Sequence, residues 1–108
     1  GLRVLGTGGS NRIRTSILEV ISAMVDRGTS PQAAVDAPRM HYENGILNAE
    51  VFDLADGGAA LSQLDIRGFV PFDTPHLYFG GVNLAERQAS GSLRGHGDFR
   101  RGGVSIVV

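Results

Sequence analysis

The most informative stretch of the 108-residue chain is LRVLGTGGSNRI, residues 2–13. Apolar residues predominate from Leu2 to Leu5 and predict a short strand, and the glycines that follow predict a loop from Gly6 to Asn11. Beyond the loop, apolar residues recur with the spacing of one helix face, which predicts a helix from Arg12 to Arg27. A strand, a glycine-rich loop and a helix therefore follow one another directly.

The loop has two functional interpretations and one structural one. Amides at a helix start lack intrahelical acceptors, and Gly8 and Gly9 would allow a ligand to approach the backbone closely. Such a loop can cradle a phosphate or carboxylate, or it can stabilise an oxyanion during acyl transfer. It can equally be a tight turn that needs positive φ, with Ser10 or Asn11 capping the helix. The dinucleotide-binding pattern is matched only loosely, because its third glycine is missing.

The remaining elements predict an α+β fold, since a helical first half precedes a strand-rich end. Gly28 suits the end of the first helix, and Ser30 and Pro31 suit the start of a second one that reaches Ala37. Asn44-Gly45 predicts a tight turn. The other predicted elements are the strands Ile46–Phe52, Phe69–Phe72, His76–Leu84, Ser92–His96 and Val104–Val108, a weak helix Ala59–Leu64 and a loop Asp98–Gly103.

Composition excludes several classes of function. Ten Arg and eleven acidic residues give a net charge of −1, so a dedicated nucleic-acid-binding protein is disfavoured. All ten cations are Arg, which rules out a Lys Schiff base or a phosphate-loop lysine in this chain. Without Cys, it has no thiolate nucleophile or disulfide, and no apolar run is long enough to span a membrane. None of this determines the compartment.

Other polar residues gave weaker signals. The three histidines, His41, His76 and His96, have no metal-ligand spacing, and neither a Ser10–His41–Asp triad nor a His96–Asp98 pair is favoured by spacing. Arg12 and Arg14 oppose the helix dipole, which is compatible with an anionic substrate or partner, or with a solvated Arg or an ion pair with another segment. Arg100-Arg101 is typical of an exposed turn, with a buried salt bridge to Asp36 or Asp98 as the second option.

Three segments together resemble one family. Residues 4–13, VLGTGGSNRI, resemble the glycine-pair segment of the gamma-glutamyltransferases (gamma-glutamyltranspeptidases), and residues 33–41, AAVDAPRMH, resemble the segment that follows it. Residues 97–104, GDFRRGGV, resemble the closing strand pair, where an Asp-Pro-Arg-Arg run is usual. The three matches occur in family order and span nearly the whole chain.

The resemblance implies the αββα sandwich of N-terminal nucleophile hydrolases, with a helix hairpin packed on an antiparallel sheet. It also implies a precursor that cleaves itself, so that a new N-terminal Thr attacks a gamma-glutamyl amide of the glutathione type and passes the acyl group to water or an amino acid. In that family the glycine pair lends its amides to the oxyanion. The match assigns this role to Gly8, Gly9 and Ser10, with Gly9 common to both possible alignments and with Gly8 and Gly9 contacting substrate.

We therefore expect residues 1–108 to be the C-terminal part of such an enzyme, either as a single domain or as a fragment. Thr7 and Thr15 are not N-terminal, so neither offers the free α-amine that serves as the base in this class. The isolated chain is expected to be inactive, and its partners are the upstream part of the enzyme and a gamma-glutamyl substrate. No metal, cofactor, nucleic acid or membrane segment is expected, and the sequence is compatible with a homo-oligomer.

Two alternatives come from other classes of protein. The chain could be a small α/β module that binds an anion or nucleotide with the Gly6–Asn11 loop, or a non-catalytic interaction domain whose glycines serve only turns. Loop-dependent binding of phosphate or nucleotide would favour the first. A clean, tightly folded monomer would favour an autonomous module over a fragment.

Overall fold

Two three-stranded sheets and a pair of helices make up the described part of the molecule. The computed structural model describes residues 1–51, 62, 63 and 65–108. Its helices are α1 (Ile13–Val25) and α2 (Pro31–Asp36). Its strands are β1 (Leu2–Gly6), β2 (Met40–Glu43), β3 (Ile46–Glu50), β4 (Gly68–Phe72), β5 (Asn83–Arg87) and β6 (Leu93–His96). Short 3-10 turns lie at Ser10–Arg12, Leu77–Phe79 and Phe99–Arg101. The predicted α+β class is confirmed.

The first sheet has the order β1-β5-β6 and is antiparallel throughout. The second has the order β2-β3-β4, in which β2 and β3 form an antiparallel hairpin and β3 and β4 pair in parallel. The hairpin turn is the predicted Asn44-Gly45, with φ angles of 52° and 79°. Positive φ at both positions matches the twist of antiparallel strands, which is why this dipeptide marks hairpins.

The two helices form a hairpin that packs on the first sheet. The core they share contains Val20, Ala23 and Met24 of α1, Ala34 and Val35 of α2, and Val82 and Leu84 of the segment around β5, with Leu5 of β1 against it. Val20 and Val35 are fully buried, and each such side chain stabilises the fold by about 1.5–3 kcal/mol. Pro31 occupies the first turn of α2, as predicted, and Gly28 has the left-handed φ of 67°.

The start of α1 differs from the prediction. Ser10–Arg12 forms a 3-10 turn and the α-helix begins only at Ile13. Neither Ser10 nor Asn11 caps it with a side-chain hydrogen bond. Ser10 has a φ of 57°, and the Asn11 amide group donates instead to the Glu43 carboxylate at 3.3 Å. The cap prediction was wrong because Gly9 precedes the 3-10 turn and Arg12 precedes α1, so that neither Ser10 nor Asn11 occupies an N-cap position.

The strand predictions failed at two places. The expected strand His76–Leu84 is broken by the 3-10 turn Leu77–Phe79 and by Gly80 at φ 84°, so that β5 begins at Asn83. The expected strand Val104–Val108 does not form, and Val104 keeps 82% of its surface exposed. High β propensity is not sufficient without a neighbouring strand to pair with. Conversely, β2 was not predicted.

The helix expected from Ala59 to Leu64 lies outside the described residues apart from Ser62 and Gln63, which lie in a turn. The strand expected to reach Phe52 ends at Glu50 in the described chain. Within the described ranges, no helix combines the length and the apolar character needed to cross a bilayer.

Candidate functional site

The Gly6–Asn11 loop connects β1 to α1 through two residues with unusual backbone angles. Gly9 has φ 128° and ψ 25°, a conformation that side-chain-bearing residues rarely adopt. Ser10 follows with φ 57°, which costs a non-glycine residue about 1–2 kcal/mol. A serine held in the left-handed region at a glycine pair is the kind of local strain that concentrates at functional sites.

The amides of Gly8, Gly9 and Ser10 have no acceptor among the described residues. The Gly9 carbonyl accepts from the Arg12 amide at 3.2 Å, which closes the 3-10 turn. Among the hydrogen bonds of the described residues, however, none uses the amide N–H of Gly8, Gly9 or Ser10 as donor. Gly8 and Gly9 are half-buried and Ser10 is exposed, so their amides can be reached by solvent or by a ligand. Three consecutive free amides on a fixed turn can therefore receive an anionic oxygen.

A guanidinium lies beside the glycine pair. A Cβ atom added at Gly8 would lie 3.5 Å from Arg101 Nη1, and one added at Gly9 would lie 3.5 Å from Arg101 Nη2. Arg101 is exposed, and its Nη2 donates to the Leu77 carbonyl at 3.3 Å. Among the described residues it has no carboxylate partner. The charge is thus available to an anion at the loop, a role that sequence analysis did not assign to this residue.

The two arginines that follow the loop, Arg12 and Arg14, have different surroundings. Arg12 Nε donates to the Tyr78 carbonyl at 3.0 Å, and its guanidinium lies 4.2 Å from the centre of the Tyr78 ring. Arg12 therefore contacts another segment, but through a carbonyl and an aromatic ring rather than through an ion pair. Arg14 is exposed on the surface of α1.

The three histidines lie in three separate places. His41 Nδ1 lies 2.8 Å from Thr15 Oγ1, and its Nε2 lies 3.0 Å from Glu43 Oε2. Because the carboxylate only accepts, Nε2 donates to it, and in the neutral ring Nδ1 accepts from the Thr15 hydroxyl. His76 Nδ1 accepts from the Tyr78 amide, and His96 Nε2 lies 3.3 Å from Glu86 Oε1. No group of three metal-ligating side chains forms among the described residues.

These contacts settle the two sequence hypotheses built on histidine. Ser10 is not in the hydrogen-bonded chain around His41, so the disfavoured Ser10–His41–Asp triad is absent from the described residues. His96 pairs with Glu86 rather than with Asp98. A series of hydrogen bonds instead joins α1 and the loop to β2, and it runs through Thr15, His41, Glu43 and Asn11.

A buried ion cluster joins Arg39, Glu50, Asp98 and Arg100. Asp98 bridges the two cations, with Oδ2 2.7 Å from Arg39 Nη2 and Oδ1 3.2 Å from Arg100 Nη1. Arg100 Nη2 lies 2.6 Å from Glu50 Oε1, and its Nε donates to Oε2 at 2.8 Å. The second option for Arg100, a buried salt bridge to Asp98, is confirmed, whereas Asp36 accepts from Gln32 instead.

Burial and pairing shift the pKa values of Asp98, Arg39 and Arg100 in different directions. Burial opposes ionisation of Asp98, but amide hydrogen bonds from Arg100 and Val82 and the two guanidiniums outweigh it and lower the pKa of this carboxyl. Burial also lowers the pKa of Arg39, and the neighbouring Arg100 adds to this effect. For Arg100, the hydrogen bond and charge of Glu50 outweigh burial and raise the pKa. The carboxylates and guanidiniums of the cluster pair with one another, which indicates a structural role, although the buried Arg39 Nε has no hydrogen-bond partner among the described residues.

One carboxyl beside the cluster is not satisfied in this way. Glu19 Oε1 accepts from the Met40 amide at 2.8 Å, while its buried Oε2 has no partner among the described residues. Burial raises the pKa of Glu19 to about 7, against the lowering effect of the Met40 amide and Arg39. Glu19 lies in α1.

An apolar cavity of about 450 Å³ lies away from the loop. It is formed by the outer face of the first sheet and the C-terminal residues, including Leu2, Val4, Leu93, Ile106 and Val108. None of its lining residues belongs to the Gly6–Asn11 loop. The predicted anion site and this cavity are therefore distinct regions.

Comparison with known proteins decides the family. The family model described as gamma-glutamyltranspeptidase matches residues 2–108, which is all but one residue of the chain. The chain belongs to the gamma-glutamyltranspeptidase family. The resemblance seen in the three sequence segments is thereby confirmed.

Individual relatives agree with this assignment. The Acylase ACY 1 proenzyme of Pseudomonas sp. (strain SE83) is 33% identical over 104 residues, which cover 96% of this chain and 18% of the acylase. The transpeptidase CapD of Bacillus anthracis has a TM-score of 0.84 at 21% identity, covering 98% of this chain and 63% of CapD. A gamma-glutamyltranspeptidase from Pseudomonas nitroreducens has a TM-score of 0.74 at 25% identity, covering 98% and 55%.

These coverages bear on both fold and function. The structural matches confirm the expected fold class, that of the N-terminal nucleophile hydrolases. The chain spans less than a fifth of the acylase proenzyme and about half to two thirds of the solved chains. The roles of Gly8, Gly9 and Ser10 are tested by none of these matches and stay predictions.

Proposed function

We propose that this chain supplies the oxyanion-binding side of an acyl-transfer site in a gamma-glutamyltransferase-like enzyme. The observation that carries the proposal is the free amide groups of Gly8, Gly9 and Ser10 on a turn with fixed, strained geometry. Amides held in place before reaction stabilise the negative oxygen of a tetrahedral intermediate without reorganisation. In this proposal Gly8 and Gly9 contact the substrate carbonyl, and Ser10 adds a third amide.

The reacting hydroxyl comes from the upstream part of the enzyme. Both threonine hydroxyls near the loop are engaged: Thr7 donates to the Gly8 carbonyl, and Thr15 is paired with His41. In this class of enzyme an N-terminal Thr uses its own α-amine as base, and neither residue is placed for that. The chain's short span relative to the acylase proenzyme supports a site completed by another segment.

The substrate of the complete enzyme is an amide of the gamma-glutamyl type, and the acyl group passes to water or an amino acid. Family membership supports this class of substrate. The Arg101 guanidinium lies beside the glycine pair and has no carboxylate partner among the described residues. Its charge also suits a substrate that carries negative charge. The remaining alternative, a module that binds free phosphate or nucleotide at this loop, is an outcome of the test below.

The experiment compares the complete enzyme with the isolated chain in a gamma-glutamyl anilide assay. We expect turnover by the complete enzyme and none by residues 1–108, because the chain lacks the nucleophile. Phosphate and nucleotide titrations by calorimetry accompany the assay. Turnover by the isolated chain, or loop-dependent phosphate or nucleotide binding without amidase activity in the complete enzyme, would contradict the proposal.

A glycine variant tests which part of the chain acts. We expect Gly9→Ala in the complete enzyme to lower kcat by about 100-fold, because a Cβ atom at φ 128° and 3.3 Å from Gly80 Cα would displace the amide from its position. Gly28→Ala is the matched control, since Gly28 also has positive φ but has open space around it. Equal activities of the two variants would show that the loop has no special role.

A further inference from the structure

A second glycine pair, Gly80-Gly81, lies directly against the loop. We propose that Gly80, Gly81 and the Thr7 hydroxyl are positioning residues that hold the Gly8–Ser10 amides in the geometry needed for oxyanion binding. The inference rests on the proposed function of the loop and extends it to residues that do not touch substrate. Both glycines lie within the predicted strand His76–Leu84, and the sequence indicates no functional role for them.

Thr7 connects the two glycine pairs through one oxygen atom. Its Oγ1 accepts from the Gly81 amide at 3.1 Å and donates to the Gly8 carbonyl at 3.1 Å. The first contact reaches across 74 residues of sequence, and the second fixes the peptide plane between Gly8 and Gly9. Because the Gly9 N–H belongs to the same plane, the hydroxyl sets the direction in which that amide points.

Gly80 allows this close approach because it has no side chain. A Cβ atom at Gly80 would lie 2.8 Å from both the Gly8 carbonyl oxygen and Thr7 Oγ1, and 3.1 Å from Ser16 Oγ. A Cβ at Gly9 would in turn lie 3.3 Å from Gly80 Cα. Gly80 also has a φ of 84°. A methyl group there must push the loop away, since the atoms it meets include backbone.

The segment under the loop is itself firmly held. The Phe79 carbonyl lies 2.7 Å from Ser16 Oγ and accepts from Arg39 Nη1 at 3.1 Å. The Tyr78 carbonyl accepts from Arg12 Nε. Hydrogen bonds from α1 and from the buried ion cluster therefore fix the backbone on which the loop rests. A displacement of about 1 Å at a reacting centre can lower the rate by about 100-fold.

The test uses the complete enzyme and two matched pairs of variants. Gly80→Ala is compared with Gly91→Ala, since Gly91 has a similar φ of 90° but nothing within 4 Å of an added Cβ. We expect kcat to fall about 100-fold in Gly80→Ala with KM changed less than about threefold, and both constants to stay within about twofold in Gly91→Ala. Thr7→Val should lower kcat about tenfold, and Thr7→Ser should restore it.

Hydrogen exchange of the Gly81 amide provides a readout that does not depend on activity. Loss of its acceptor in Thr7→Val should speed exchange at Gly81 at least about tenfold, whereas Thr7→Ser should not. If wild-type enzyme lacks amidase activity, the proposed function is wrong, and this exchange measurement alone decides whether Thr7 holds the loop. The inference is overturned if Gly80→Ala matches Gly91→Ala in kcat, or if Thr7→Val and Thr7→Ser exchange alike. If Gly80→Ala fails to fold, the Thr7 pair decides.

Discussion

The glycine loop and the buried ion cluster treat polar groups in opposite ways. In the cluster, each oxygen of Asp98 accepts a guanidinium and at least one backbone amide. In the loop, three consecutive amides donate to no described residue, and Ser10 adopts a strained backbone angle. The first arrangement pairs polar groups with one another inside the protein. In the second, the proposed function requires that the amides stay free for a ligand.

The two regions are also connected. Arg39, which pairs with Asp98, donates through Nη1 to the Phe79 carbonyl just before Gly80. The buried ion cluster thereby supports the backbone that lies against the loop. Damage to the cluster should reduce stability, and damage to the loop should reduce activity while leaving stability nearly unchanged.

The largest effect on stability is expected from Asp98→Asn. The change leaves Arg39 and Arg100 with a single carboxylate, and removing one member of a buried ion network costs about 3–5 kcal/mol. The free energy of unfolding in urea measures it, with Asp36→Asn as control because Asp36 is exposed and bonds only to Gln32. A loss below about 1 kcal/mol would mean that the cluster is not structural.

Glu19 gives a pH-dependent test of the same region. Its folded-state pKa of about 7 lies above the ordinary value of 4.5, so the folded protein holds this proton more tightly than the unfolded chain. Its contribution is fully present below pH 4.5 and is lost as pH rises through 7. At about 1.4 kcal/mol per pKa unit, Glu19→Gln should gain up to about 3 kcal/mol relative to wild type between pH 4 and pH 8.

Urea unfolding of both proteins at the two pH values measures this gain. If the free energies of unfolding of wild type and Glu19→Gln change in parallel with pH, Glu19 ionises normally in the folded protein. That result would mean that Glu19, which has one unpaired oxygen, ionises as readily as the paired carboxylates of the cluster.

Arg101 should have the smallest effect, because it is exposed. If its guanidinium attracts an anionic substrate to the loop, Arg101→Gln should raise KM for a gamma-glutamyl anilide about fivefold at low salt and leave kcat within about twofold. Arg94→Gln is the control, since Arg94 is also exposed and lies on β6 away from the loop. A KM that does not change, or a loss confined to kcat, would assign Arg101 to holding the loop instead.

The sequence predicted the elements whose signals are local. The strand, glycine loop and first helix follow from residues 2–27, and the hairpin turn at Asn44-Gly45 follows from two residues with known backbone preferences. The candidate amides were also found in this way, because glycines next to a helix start are a local pattern. The three segments that resemble the gamma-glutamyltransferases extended the prediction to the fold of the N-terminal nucleophile hydrolases.

The remaining features depend on contacts between distant parts of the chain. Glu50 and Arg100 are 50 residues apart, and nothing near either one predicts its burial. Gly80 is needed because Thr7 and Gly8 lie against it, which only the folded chain reveals. Val104–Val108 shows the converse, since its apolar β-branched residues predict a strand that no described neighbour completes.

The most direct test of the central claim removes one loop hydrogen and little else. Replacing Gly9 by glycolic acid in the complete enzyme converts its amide N–H into an ester oxygen with nearly the same backbone shape. We expect kcat for a gamma-glutamyl anilide to fall about 100- to 1,000-fold, as for loss of one oxyanion donor, while the same exchange at Gly28 leaves kcat within about twofold. Equal kcat values for the two ester variants would contradict the account.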